Sequence, residues 1–293
     1  MADPAAATTT PAPELDEALH PAVALRLRQS RLIALHQSSF QQVALYQHPV
    51  FGRFFRLDGV LMSTEADEFY YHETLIHPAA QAMPPLRRAL VIGGGDGGSA
   101  RQLLRYASLQ TVDVAELDPV VVELARAWLP GVHHQAFDDP RLVLHLGDGG
   151  AFLQASAGGY DLIVLDLTDP VGAALPLYQR DFFLLCRQQL AEHGLLSLHL
   201  GSPVYQPEQV SALYHRLAGV FAVVRPMLVP IPSYGGLWAL AVAGQASDPA
   251  ACDPIRINQR LSEAGISGLS YYNGDIHQAL FAVPEFLRSS LSL

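Results

Sequence analysis

The sequence predicts an α/β fold, an open sheet with helices on both faces, preceded by a small antiparallel β domain. Three observations predict it. Beyond Arg88, short apolar runs alternate with helical patterns, which implies parallel strands joined by crossover helices. The first run, Leu90-Val91-Ile92, passes into Gly93-Gly94-Gly95-Asp96-Gly97-Gly98, a glycine turn that opens a helix. Upstream, Arg31 to Thr64 carries β-branched and aromatic residues at short spacing, with turn signals at Phe51-Gly52 and Asp58-Gly59, as antiparallel strands do.

In chain order, residues 1–21 are rich in Ala, Thr and Pro and read as a disordered tail, neither signal nor transit peptide. Residues 22–80 hold the β domain and a linking helix from Asp67 to about His77, acidic in its first turn. Pro84-Pro85 marks the passage into the larger domain, residues 81–293. After the glycine turn, strands are expected at Thr111–Ala115, Leu142–Leu146, Asp161–Leu165 and Leu195–Leu200. Asp118-Pro119 caps a helix with Val121, Leu124, Ala125 and Trp128 on one face, and a helix around Arg187 precedes the last of these strands.

Composition narrows the partners. Acidic residues outnumber basic ones 28 to 18, which argues against nucleic acid and suits a cationic small molecule. Two cysteines make no disulfide framework, and the 12 histidines form no H-E-x-x-H pattern, so no metal is expected. The apolar stretch Leu217 to Pro232 is broken by Arg225, Pro226 and Pro230; with no membrane span, a cytoplasmic location is the expectation.

Ligands of such sheets bind beyond the carboxyl ends of the strands, and here those ends are acidic. Gly93, Gly95 and Gly98 fit G-x-G-x-x-G, yet Asp96 inside the loop repels a pyrophosphate and attracts a cation. Glu116, following the second strand of this domain, stands 21 residues after Gly95, where a carboxylate can accept from ribose hydroxyls. Asp148, between Gly147 and Gly149, follows the third and would sit near an adenine edge. Adenosine without phosphates points to an S-adenosyl sulfonium compound. The fourth strand delivers Asp166 and Asp169 ahead of Pro170, a carboxylate pair able to hold a diamine, or to hold one end and take a proton from the other.

Gly93 to Gly98, Glu116-Leu117-Asp118, Gly147-Asp148-Gly149 and Asp166-Leu167-Thr168-Asp169-Pro170, in this order and spacing, resemble the polyamine aminopropyltransferases, the spermidine synthase family. Ser39-Phe40-Gln41, Leu57-Asp58-Gly59, Asp67 to Glu73, Ile231 to Tyr234 and Tyr271 to His277 extend the resemblance over most of the chain. It implies a Rossmann-like S-adenosylmethionine-dependent-transferase sheet and a homodimer or homotetramer. It also implies decarboxylated S-adenosylmethionine as co-substrate, no prosthetic group and no metal. Gln41, His72, Gly93, Gly95, Asp96, Glu116, Asp148 and Gly149 would bind the donor; Tyr71, Asp169 and Tyr234 would position the amine; Asp166, with Tyr71, would be catalytic. Putrescine would become spermidine, with methylthioadenosine released.

Departures from the family pattern leave the acceptor open. Met62, His199 and Gly201 stand where other members carry different residues, among them the glutamine and glutamate that hold a diamine's far end. Agmatine, cadaverine or spermidine are therefore alternative acceptors. A methyltransferase and a non-catalytic polyamine- or nucleoside-binding relative are the remaining readings. The segment Pro170 to Tyr178 is expected to close over the substrates.

Overall fold

The computed structural model describes residues 14–83 and 85–293, so residues 1–13 of the expected tail and Pro84 lie outside the described residues. Leu15–His20 (β1) pairs antiparallel with Val23–Leu27 (β2). This corrects the disordered-tail reading for residues 14–21. The Ala/Thr/Pro-rich composition ends at Pro13, and from Leu15 alternate residues turn inward, Glu17 being buried while Asp16 and Ala18 face solvent.

Arg31–Gln37 (β3), Gln42–His48 (β4), Gly52–Leu57 (β5) and Val60–Thr64 (β6) form an antiparallel meander, as the turn signals anticipate. Glu68–Gln81 (α1) then runs four residues past His77 and through Pro78. Its last turn buries Ala79 and Ala80, and burial outweighs the hydrogen bond a proline forfeits.

The larger sheet contains Arg88–Gly93 (β7), Gly98–Leu104 (α2), Thr111–Glu116 (β8), Pro119–Trp128 (α3), Pro130–His133 (α4), Leu142–Leu146 (β9), Gly149–Ala155 (α5), Tyr160–Asp166 (β10), Arg180–Gln189 (α6), Leu190–Gly201 (β11), Pro207–Ala218 (α7), Val223–Ile231 (β12) and Gly236–Gly244 (β13), counting its connecting helices. Its strand order is β12-β13-β11-β10-β7-β8-β9. The five strands β11-β10-β7-β8-β9 are parallel, as expected, and β13 and β12 add antiparallel at one side. β12 is an edge strand, so Pro226 and Pro230 cost it no ladder on its open side.

Side-chain alternation divides the core. In β7, Ala89 and Val91 face one layer with α1, α2, Pro254–Glu263 (α8) and Gly274–Leu280 (α9). Leu90 and Ile92 face the other, with α5, α6, α7 and Glu285–Leu291 (α10). Each such fully buried Leu, Ile or Val contributes about 1.5–3 kcal/mol. Helix α3 instead docks on the small sheet, packing Val121, Leu124 and Ala125 against Val43, Leu45 and Phe55. Trp128, expected on that buried face, is 38% exposed, with the Arg53 guanidinium over its ring. The packing of α3 draws the small sheet over the carboxyl ends of β7 and β8.

Candidate active site

One cavity of about 830 Å³ opens at those strand ends, and its lining includes every site residue named from the sequence: Gln41, Tyr71, His72, Gly93, Gly95, Asp96, Glu116, Asp148, Gly149, Asp166, Asp169 and Tyr234. Parallel strands explain the convergence, because each crossover helix returns the chain so that every carboxyl end falls on the same edge. The glycine turn sits tightly over β10. The Gly94 N–H donates to the Asp166 carbonyl at 2.9 Å, and a Cβ on Gly93, whose φ is +80°, would lie 2.1 Å from that oxygen. Only glycine fits there.

At the floor lies a buried charge cluster. His72 on α1 bonds through Nδ1 to Glu68 at 2.6 Å, while its Nε2 faces Asp96 at 3.6 Å and Asp166 at 3.8 Å. Arg101 on α2 pairs with Glu68 at 2.8 Å. Burial alone would depress the His72 pKa, but Asp96, Glu68 and Asp166 together lift it to about 9, so the ring is an imidazolium at neutral pH. Three carboxylates around two cations leave a negative charge uncompensated, before Asp169 and Glu116 are counted.

The Asp96 carboxylate accepts from Ser63 Oγ at 2.7 Å and from the Gly98 N–H at 2.9 Å, which aims it into the cavity from the turn. Asp166 accepts from Ser99 Oγ at 2.7 Å. Burial pushes its pKa up, with the Asp96 charge adding to that rise and the His72 charge opposing it. Burial and the Asp166 charge also hold the Tyr71 phenol well above its ordinary value.

Glu116 ends β8 and accepts from the Gly95 N–H at 3.1 Å and the Asp118 N–H at 2.9 Å. Burial lifts its pKa to about 7, the Asp118 backbone bond opposing and the Asp118 charge assisting. Asp118 caps α3 through the Val120 N–H, and the Gln41 amide donates to it at 3.0 Å. Gln41 therefore reaches the cavity with its N–H already engaged. Asp148 caps α5 through the Ala151 N–H at 2.8 Å and lines the same cavity. It is a capping residue that also faces the cavity.

The opposite end of the cavity is aromatic. Tyr71 lies 6.1 Å from Tyr234, and Tyr234 lies 5.0 Å from Trp238, measured between ring centroids. The Tyr234 hydroxyl donates to the carbonyl of Met62. Asp169 accepts from Gln206 Nε2 at 2.7 Å. The segment expected to close over the substrates forms a wall: Ala173, Ala174, Pro176 and Leu177 line the cavity, and buried Tyr178 anchors the segment by donating to the Thr168 carbonyl at 3.0 Å.

Several lining residues escaped the sequence reading. Glu17, Ala18 and Leu19 of β1 close one side, with Glu17 paired to Arg56 at 3.0 Å and accepting from the Leu61 N–H. The inward alternation of Leu15, Glu17 and Leu19 was the available signal. Gln206 carried none, since only the turn after β11 brings it in, while Trp238 enters with the antiparallel addition of β13.

Ligand atoms of His72, Asp96 and Asp166 lie within 4.8 Å of one another, a set of donor types that can take a metal ion. They come from three separate stretches, which no sequence spacing registers. Among the described residues no helix is long and apolar enough to cross a membrane.

A family model described as the spermine/spermidine synthase domain matches residues 68–252. A polyamine aminopropyltransferase of Nitrosomonas europaea is 47% identical over 94% of this chain and 85% of its own length. Polyamine aminopropyltransferase 1 of Pseudomonas aeruginosa is 33% identical over 95% of this chain and 97% of its own. The crystal structure of a spermidine synthase in complex with the transition-state analogue AdoDATO superimposes with a TM-score of 0.90 at 32% identity, covering 95% of this chain and 94% of that one. The crystal structure of spermidine synthase from Thermotoga maritima gives 0.88 at the same identity and coverage.

Proposed function

The chain belongs to the spermine/spermidine synthase family and is an aminopropyltransferase, and from that premise we propose that it moves the aminopropyl group of decarboxylated S-adenosylmethionine to putrescine, releasing methylthioadenosine and spermidine. The observation that carries this reading is the set of carboxylates at four successive strand ends around one cavity. Glu116 accepts from the ribose hydroxyls and Asp148 from the adenine edge, with Gly93, Gly95 and Gly149 allowing close approach. Asp96 pairs with the donor's terminal ammonium, and Gln41 and His72 complete the donor's surroundings.

The acceptor lies between Tyr71, Tyr234 and Asp169. A free alkyl amine, like lysine at about 10.4, is mostly protonated at neutral pH and lacks the lone pair it needs. Asp166 takes that proton, a role its raised pKa suits, with Tyr71 beside it. The nitrogen lone pair then forms the new N–C bond at the methylene next to sulfur as the C–S bond breaks. Its electron pair goes to sulfur, discharging the sulfonium, so the leaving group needs no acid. Alignment of nitrogen, carbon and sulfur supplies much of the acceleration.

His72 supplies the cation among its carboxylates, so no metal enters this mechanism. A homodimer or homotetramer belongs to the same reading, supported by the exposed Leu32 and Leu35 on the edge strand β3. The deciding experiment is mass spectrometry of products from decarboxylated and ordinary S-adenosylmethionine, each with putrescine, cadaverine, agmatine, spermidine and spermine, with and without EDTA. Methylthioadenosine and spermidine from the decarboxylated donor and putrescine, unaffected by EDTA, are expected. Adenosylhomocysteine from the ordinary donor would overturn the assignment, and another preferred amine would overturn putrescine.

A further inference from the structure

Asp96 and Asp166 converge on one atom. Both present Oδ2 to His72 Nε2, at 3.6 and 3.8 Å, and neither contact is short enough to be a hydrogen bond. An N–H lying between two carboxylates attracts both and orients neither. Left to that attraction, either aspartate closes the remaining gap onto the imidazolium, and its charge then serves His72 and no ligand.

Two serine hydroxyls stand against that collapse, each on the same oxygen that faces the ring. Ser63 Oγ, on β6, lies 2.7 Å from Asp96 Oδ2, and Ser99 Oγ, on α2, lies 2.7 Å from Asp166 Oδ2. An ionised carboxylate only accepts, so the hydroxyl is the donor in each pair. Both serines are buried, and neither hydroxyl makes another hydrogen bond among the described residues. The backbone steadies the same two residues. Asp96 Oδ1 accepts from the Gly98 N–H at 2.9 Å, and the Asp166 carbonyl accepts from the Gly94 N–H at 2.9 Å. Gly94 also leaves room for the Ser99 bond, since a Cβ there would lie 3.0 Å from Asp166 Oδ2. Asp96 and Asp166 line the cavity whereas Ser99 does not, so Ser99 reaches a ligand only through Asp166.

We propose that Ser63 and Ser99 are positioning residues that keep the two aspartates off His72 and on separate tasks: Ser63 holds Asp96 for the donor's terminal ammonium, and Ser99 holds Asp166 for the proton of the attacking amine. The inference rests on the proposed aminopropyl transfer, with Asp96 on the donor and Asp166 as the base. It deepens that reading by assigning each carboxylate its own support, one from the small sheet and one from the large domain.

The test gives each serine its own readout, because removing one hydroxyl should disturb one task and spare the other. Calorimetry without amine compares decarboxylated S-adenosylmethionine with methylthioadenosine, which lacks the aminopropyl ammonium. Ser63→Ala is expected to weaken the first about tenfold, the effect of a lost hydrogen bond to a charged group, and the second by less than about twofold. Ser99→Ala is expected to leave both affinities within about twofold and to slow single-turnover transfer to putrescine about tenfold. In an Asp166→Asn background, Ser99→Ala should cost less than about twofold more, since a residue that acts through Asp166 has nothing left to position. Ser63→Thr and Ser99→Thr keep the hydroxyl and should each recover most of the loss. Equal weakening of both nucleosides in Ser63→Ala, wild-type transfer in Ser99→Ala, or a Ser99 effect undiminished beside Asp166→Asn would overturn the inference. If the wild type transfers aminopropyl to no amine, the proposed function falls and this inference with it. Normal transfer with both alanine variants indistinguishable from wild type removes this inference alone.

Discussion

Asp166 and Glu116 are both buried carboxylates at strand ends, yet their surroundings suit them to opposite tasks. Asp166 is held by a hydroxyl beside an imidazolium, Glu116 by two backbone N–H groups. Removing the base should therefore act on turnover. Asp166→Asn is expected to lower kcat by about 10²-fold or more, leaving the donor KM within a few-fold; near-full turnover would exclude it as the base. Glu116 should act on binding. With its pKa lifted to about 7 by burial, it becomes neutral as the pH falls through that value and is then a poorer acceptor for two hydroxyls. Between pH 8 and 6 the donor KM is expected to rise about tenfold, a change of roughly one protonation step. Glu116→Gln should have a high KM with no such slope, and a slope that survives the substitution would place the titration elsewhere.

At the scale of elements, the turn between β7 and α2 is fixed by what lies above and below it. A Cβ on Gly98 would fall 2.2 Å from the His72 ring, so Gly98→Ala must displace that ring and with it the charge cluster. Overpacking of this kind costs about 1–3 kcal/mol. We expect a lower melting temperature and a lower kcat/KM for both substrates; a variant with wild-type kinetics would show that the His72 position is not needed. Strand β1 is the second such element. Leu19 packs against Gly235 beside Tyr234, and Glu17 ties the strand to β5 and β6. Deleting residues 1–22 should open the amine end, raising the amine KM several-fold more than the donor KM. Equal kinetics in the truncated protein would make β1 a mere covering.

For the whole molecule, the acidic cavity is also a source of pH-dependent stability. His72 titrates near 9 in the folded chain against an ordinary 6.5, and Glu116 near 7 against 4.5. In both cases the folded protein keeps a proton that the unfolded chain has already released, so stability falls as pH rises through these windows. The Glu116 part is lost from about pH 4.5 to 7, the His72 part from about 6.5 to 9. The urea midpoint is expected to decline between pH 6 and 9, and the decline to flatten in His72→Gln. A midpoint that rises over this range would contradict the imidazolium.

Much of this was determined by the sequence alone. The alternation of strand and helix, the glycine turn, the Asp118 cap and the acidic strand ends are local facts, set by sterics and by side-chain periodicity over a few residues. A parallel sheet then brings those strand ends together whatever the details of packing. The tertiary structure decided what depends on contact between distant stretches. It turned Leu15–His20 from an expected tail into a wall, because a strand is stable only once its ladder and inward face find partners. Packing also held the Trp128 ring partly outside, and pairing carried β12 and β13 onto the sheet antiparallel. Above all it brought His199 to Tyr178, 21 residues away in sequence, with Nε2 2.7 Å from the phenol oxygen, a contact that a histidine in a strand does not announce.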